Sequence, residues 1–268
     1  MMNNITFITS LQIESEDRLR NAIAVFSYLS KNFPESKIYI KEVDSESKFL
    51  KFALPKIENI VGKNYNITHF FEKNDGCFNK SKTLNDLVLL SDTDLIWNYD
   101  VDVLLPMSTY NKACNMLQNE DYDIIYPYGC GVYQWNVLNF NSKYEDFLQN
   151  KIQIEDLICS SQKLPSVQGH TQVFKKDVFL KGFGWNENFI FVGYEDTEFL
   201  FRMTSLGYRI GRVNDVIYHL DHIRINNRNY SDQEFFESNI MLWEWIRKQD
   251  KETILEYYNK QKYVQKFK

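Results

Sequence analysis

The chain has 268 residues, enough for one large domain or two closely packed ones with a sizeable core. Apolar residues make up 44% and charged residues 25%, an ordinary balance for a globular protein. A net charge of −5 argues against a general nucleic-acid binder, which would show a basic face, and no run of 18 apolar residues is present to span a membrane. The aromatic share of 16% suits a cleft that stacks rings or sugars, though aromatic side chains more often fill core. Cys77, Cys114, Cys130 and Cys159 form no C-x-x-C pair and read as reduced thiols of a cytoplasmic protein. The opening "MMNNITFITS" has no basic region followed by an apolar stretch, so no secretory signal is expected.

Ile5 to Thr9 reads as a buried strand. Leu19, Ala22, Ile23, Phe26 and Leu29 then recur at helical spacing, predicting a helix from Ser15 to Asn32 that Pro34 stops. "SKIYIKEVD" follows as a second strand ending in Glu42 and Asp44, and this β-α-β opening predicts a mostly parallel sheet with helices on its faces. A helix over Ser45 to Val61 is expected to break at Pro55, and "NITHFF" is a third strand. "NKSKTLNDLVLLS" is a helix, "DLIWNYD" a strand, and another helix runs from Pro106 through Leu117. "YDIIYPYG" is again a strand. Beyond Tyr133 the pattern weakens, leaving a helix over Tyr144 to Cys159, a strand over Ser166 to Phe174 and a helix over Glu195 to Leu206. "YRIGRV" and "DVIYHL" are short strands, and two helices start near Ser231. The C-terminal "YYNKQKYVQKFK" is basic and aromatic, which suits a peripheral membrane contact or, more plainly, a solvated tail.

Two Asp-x-Asp pairs flank the fourth strand. Ligands bind outside the carboxyl ends of strands in open parallel sheets, which selects Asp100 and Asp102 over Asp92 and Asp94. Alternate residues of an extended segment point the same way, so both carboxylates could face one hard cation. Two of the chain's four histidines, His219 and His222, stand three apart after a strand, and a mixed carboxylate–imidazole shell favours Mn²⁺ over Mg²⁺. In "GYEDTEFLFR", Glu195, Asp196 and Glu198 open a helix whose dipole favours acids there in any case, while a functional reading makes one of them a general base. Lys80 and Lys82 at a helix start could meet phosphate oxygens, or be ordinary exposed lysines.

In this order the motifs resemble the β-1,4-galactosyltransferase family and related bacterial family 2 glycosyltransferases. "IYIKEVD…FNKSKTLN" is similar to the family's strand and Phe-Asn-Arg-Ala-Lys-Leu-Leu-Asn helix start, "YDVDVLLP" to its Asp-Val-Asp motif, and "GYEDTEFLFR…LGYRI" to its Gly-Gly-Glu-Asp-Asp segment. The family's metal-binding His pair is matched by His219 and His222. The resemblance implies a GT-A fold, α/β with a Rossmann-like, mostly parallel sheet, over residues 1–230, and a packed helical extension over 231–268. It implies an inverting transferase that moves a hexose, of galactose or N-acetylhexosamine type, from a UDP-sugar to a saccharide or lipid-linked saccharide in bacterial surface polysaccharide synthesis. Asp102, His219 and His222 would hold Mn²⁺, or Mg²⁺ in its place, and Asp100 would contact the ribose or the ion's shell. Phe78, Lys80, Asp100, Val101 and Asp102 would line the nucleotide, with Glu42 near the base. Asp196 would take the acceptor's proton and Glu195 would position the acceptor. The family's tryptophans before Gly-Gly-Glu-Asp are replaced by Phe191, Val192 and Tyr194, which leaves donor sugar and acceptor open.

Two other classes compete. A sugar nucleotidyltransferase needs a glycine-rich phosphate loop after the first strand, and "FITSLQIESEDRLR" contains no glycine. A carbohydrate-binding module without turnover is compatible with every motif and is separated only by a test for metal-dependent UDP release. Localisation in the cytoplasm, free or at the inner face of the membrane, completes the expectation.

Overall fold

The computed structural model describes residues 4–62, 65–74, 76–166, 168–191, 193–223 and 230–268. The opening unit is β1 (Ile5–Leu11), α1 (Glu16–Asn32) and β2 (Lys37–Asp44), with Ser15 capping α1 by accepting the Arg18 N–H at 3.2 Å. A π-helical turn over Phe49–Ala53 runs straight into α2 (Leu54–Val61). Pro55 therefore does not break a helix. It lies in the first turn of α2, where its fixed φ suits the start of a helix. β3 (Ile67–Lys73), α3 (Lys80–Leu90), β4 (Leu95–Tyr99), β5 (Val103–Leu104), α4 (Met107–Asn119) and β6 (Ile124–Tyr126) follow.

The second half departs further from expectation. β7 (Gly131–Val137), which the sequence reading missed, is followed by α5 (Tyr144–Leu148) and a 3-10 turn over Ile154–Ser160. The single helix expected over 144–159 ends after α5, and Asn150 then adopts a left-handed φ of 56° that a helix cannot continue through. The strand expected over 166–174 is shorter, β9 (Thr171–Lys175), and is preceded by β8 (Ser161–Ser166), which the sequence reading missed, with Gly169 at φ +91° and His170 at φ +58° before β9. α6 (Lys176–Lys181), α7 (Glu195–Ser205), β10 (Ile210–Arg212), β11 (Ile217–Leu220), α8 (Tyr230–Ile246) and α9 (Lys251–Asn259) complete the chain, with a last 3-10 turn over Lys262–Phe267.

The large sheet has seven strands in the order β10, β6, β9, β4, β1, β2, β3. β9 is antiparallel to both its neighbours, and the other pairings are parallel. β1 and β4 are buried almost throughout, as strands covered on both faces must be. Asp100 to Asp102 therefore leave the carboxyl end of β4, and the chain passes directly into a second sheet ordered β5, β11, β7, β8. α9 and the last 3-10 turn bury Ile254, Tyr258 and Val264 against Phe183, Phe201, Leu206, Tyr263 and Phe267. The rings of the C-terminal segment are thus packed inward. The segment is therefore a packed extension and not a solvated tail. Among the described residues no helix is long and apolar enough to cross a membrane.

Candidate functional site

The short pairing of β5 with β11 builds the first corner. It sets His219 opposite Val103, and the Leu220 N–H bonds the Asp102 carbonyl at 2.7 Å. Asp102 Oδ2 consequently lies 3.2 Å from His222 Nε2 and 3.7 Å from His219 Nε2, and 2.5 Å from Arg18 Nη1. The ligating atoms of Asp102, His219 and His222 fall within 4.8 Å of one another. One carboxylate with two imidazoles is a donor set that suits Mn²⁺, Fe²⁺ or Zn²⁺. Burial opposes ionisation of Asp102, but His219, Arg18 and His222 outweigh it and hold the carboxyl well below its usual range. Burial pushes His219 down to about 4, which keeps an imidazole lone pair available at neutral pH. The donor chemistry therefore fits a divalent ion.

Neighbouring residues lock this corner. Arg20 bonds the backbone carbonyl of Asp221 and its Oδ1, the latter at 2.8 Å, and Asn21 donates to the same carbonyl at 3.1 Å. Asp17 accepts the Ile223 N–H at 3.0 Å. The first turns of α1 thus clamp the segment that carries both histidines.

Asp100 does not join the metal-ligand group. Val101 and Asp102 form a turn instead of the extended backbone that alternation assumed, and Asp100 is directed to Lys80. Lys80 Nζ lies 3.1 Å from Asp100 Oδ1 and 3.9 Å from Asp196 Oδ2. Asn79 fixes the start of α3, on which Lys80 stands, accepting the Lys82 N–H at 2.8 Å as its cap and donating to the Glu187 carbonyl at 2.9 Å. Burial works against the Lys80 charge, yet Asp100, Asp196 and Glu195 together raise its pKa.

Asp196 sits in the first turn of α7. The turn is entered through Gly193 at φ +125° and Tyr194 at φ +69°, and a Cβ on Gly193 would press on Phe236 at 3.1 Å. Gly169 approaches from the opposite side, and a Cβ there would meet Asp196 Oδ2 at 2.9 Å. Gly169 therefore makes room for this carboxylate, while Gly193 makes room for Phe236. Its side chain is 18% exposed overall, while Oδ1 is sealed and has no hydrogen-bond partner. Burial raises the pKa of Asp196, and Asp100 adds to this while Lys80 and His170 oppose it. Glu195, whose Oε2 accepts the Gly193 N–H at 2.9 Å, is pushed up to about 7 by burial and by Asp196.

Glu198, the third acid of the same turn, has a different role. It is fully buried, pairs with Arg202 at 2.7 Å and accepts the Tyr258 hydroxyl at 2.5 Å. Arg202 also donates to the carbonyls of Gly182 and Gly184. This network joins α7 to α9.

Among the other expected residues, Val101 is core and Phe78 accepts the Phe191 N–H at 3.1 Å. Glu42 is fully buried, and its oxygens are taken by the Ser47 hydroxyl, the Lys48 and Phe49 N–H groups and His69. It anchors the turn after β2. Val192 lies outside the described residues. Asp92 and Asp94 stay at the amino end of β4, where Asp92 pairs with Lys37 and Asp94 accepts from Asn4. The sequence reading missed Arg18, Arg20 and His170. The His170 carbonyl accepts the Asp100 N–H at 2.9 Å, and its ring lies 5.5 Å from that of His219.

No protein-family profile matches the chain, and no curated protein matches it. Its fold is similar to that of the mannosyltransferase PcManGT from Pyrobaculum calidifontis, solved in complex with GDP-Man and Mn²⁺. The TM-score is 0.57 at 12% identity, over 98% of this chain and 72% of that one. It is also similar to S. aureus TarS, with a TM-score of 0.58 at 11% identity over 96% of this chain and 43% of that one. A shorter TarS structure, residues 1–349, gives 0.57 at 11% identity over 98% and 70%. The mixed α/β architecture with its mostly parallel seven-stranded sheet is the fold shared with these solved structures.

Proposed function

We propose that this protein is a metal-dependent, inverting glycosyltransferase that moves a hexose from a UDP-sugar to a hydroxyl of a saccharide or lipid-linked saccharide. The observation that carries this reading is the Lys80 ammonium, which lies 3.1 Å from Asp100 and 3.9 Å from Asp196. One side chain spans the distance between the motif at the end of β4 and the acid at the start of α7. Donor and acceptor chemistry can then meet in one cleft. The fold shared with a mannosyltransferase solved with GDP-Man and Mn²⁺ supports a nucleotide-sugar donor and a divalent ion.

Asp102, His219 and His222 would hold the ion, which when bound would neutralise charge on the leaving diphosphate. Phe78 and Lys80 lie along the nucleotide, with Asp100 at the ribose, and Glu42 acts by fixing the turn after β2. Glu195 orients the acceptor. Asp196 Oδ2 accepts the hydroxyl proton as the acceptor oxygen bonds to the anomeric carbon. The bond from that carbon to the phosphate oxygen breaks, and the nucleoside diphosphate leaves with the electron pair. One displacement from the opposite face inverts the configuration. The proposed setting is bacterial surface polysaccharide assembly from the cytoplasmic side, with residues 231–268 as an extension of the catalytic domain.

The test is a panel of UDP- and GDP-sugars, with and without Mn²⁺, read by nucleotide release and by acceptor glycosylation. Mn²⁺-dependent release of UDP from one UDP-hexose is the expected result. No release from any donor across the panel would favour a binding module, and release from GDP-sugars alone would overturn the UDP assignment.

A further inference from the structure

We propose that Arg18 is a resident counter-cation of Asp102, which competes with the divalent ion for that carboxylate and passes to the diphosphate when a nucleotide binds. The second half rests on the nucleotide-sugar reading. The first rests on geometry alone.

Arg18 Nη1 contacts Asp102 Oδ2 at 2.5 Å, the same oxygen that His222 approaches at 3.2 Å and His219 at 3.7 Å. Asp102 is only 5% exposed, and a buried carboxylate without a positive partner is strongly disfavoured. Arg18 supplies that partner from the first turn of α1. A divalent ion on the same oxygen would stand beside the guanidinium, so each cation weakens the hold of the other.

Arg18 is also placed to leave. Its Nε lies 3.4 Å from Glu14 Oε1, and the Glu14 side chain is 34% exposed against 8% for Asp102. Its guanidinium thus spans a sealed carboxylate and an open one, and can release the first while keeping an anionic neighbour. Arg20, two residues on, is held by Asp17, Asn21 and Asp221 at once and has no such freedom. An arginine fork matches phosphate oxygens in a way an ammonium cannot, which makes a diphosphate at this corner its natural second partner. Nucleotide binding would then draw Arg18 off Asp102 and raise the affinity for the ion. By linkage the ion would raise nucleotide affinity equally.

Free Mn²⁺, read from its EPR signal, would be titrated against the full chain as wild type, Arg18→Gln and Arg18→Lys, each with and without UDP. Arg18→Gln should bind Mn²⁺ alone about 5–10-fold more tightly than wild type and lose most of the UDP-induced gain, a coupling of ordinary size. Arg18→Lys keeps the charge without the fork, so it should match wild type with Mn²⁺ alone and bind UDP more weakly. A folded Arg18→Gln, shown by a native circular dichroism spectrum and a cooperative melt, whose Mn²⁺ affinity is equal or lower would overturn the competition. If Arg18→Gln does not fold, wild-type UDP affinity in Arg18→Lys would overturn the transfer to the diphosphate. A wild type whose Mn²⁺ binding ignores UDP would sink the nucleotide reading and the transfer, while the metal-only comparison of the variants would still decide the competition.

Discussion

Asp102 and Asp196 stand at the same edge of the large sheet and are pushed in opposite directions. Asp102 is enclosed by Arg18, His219 and His222, which hold it ionised against its burial. Asp196 is raised by burial and by Asp100, with Lys80 opposing from 3.9 Å, and one of its oxygens has no partner. A carboxylate that must hold a cation needs the first environment. One that must take up a proton and give it back needs the second, because a base works best when its pKa approaches the working pH. The difference matches the two roles proposed above for these residues of the same type.

The contrast can be broken or sharpened by substitution. Asp196→Asn should lower the transfer rate by about 10²–10⁴-fold, the range for removing a general base, measured at saturating donor. A rate within about threefold of wild type would remove Asp196 from the chemistry. Within α7 the contrast recurs between Glu198 and its neighbours. Arg202→Met would leave the Glu198 carboxylate buried beside only the Tyr258 hydroxyl, and urea unfolding should show a loss of about 3–5 kcal/mol.

Glu195 gives the pH dependence. Its pKa is raised to about 7 by burial first and Asp196 second, so the protonated form is favoured in the folded chain. That contribution is fully present below the unfolded value near 4.5 and is lost as pH rises through about 7. Urea unfolding followed from pH 4.5 to 7.5 should register a decline on the order of 3 kcal/mol from this residue. Glu195→Gln should flatten that slope, and an unchanged slope would reject the assignment. The rate should fall with acid above the ordinary carboxylate range, as a property of the Glu195–Asp196 pair. The smallest effect expected is in Tyr258→Phe, which removes one hydrogen bond to Glu198 and should cost about 1.5 kcal/mol, read by thermal melting.

Much of the first half of the fold was legible in the sequence, because strands covered on both faces read as continuous apolar runs bounded by helices with a clear 3.6-residue period. The second half was not. β7 has mixed burial and a register shift between Gly131 and Gln134, so its alternation is blurred, and a left-handed Asn150 ended a helix that side-chain spacing would have continued. Asp102, His219 and His222 could be picked out because few residue types bind such an ion. The residues alone did not separate Asp100 from Asp102, since a two-residue turn and an extended segment look alike in sequence, and only the family resemblance gave them different roles. Arg18 and His170 depended on contacts made across the fold, to Asp102 and to the Asp100 amide. The three acids of α7 looked equivalent, although the Glu198–Arg202 spacing of four was a visible sign that one of them was structural.

The most direct test compares UDP affinity with and without Mn²⁺ in Asp102→Asn and Asp196→Asn by calorimetry. Asp196→Asn should bind UDP as wild type does and keep the full Mn²⁺ enhancement. Asp102→Asn should lose that enhancement, with Mn²⁺ affinity falling by more than the roughly 10–100-fold typical of changes beyond the ligands themselves. Loss of Mn²⁺-dependent UDP binding in Asp196→Asn, or its survival in Asp102→Asn, would contradict the division of roles.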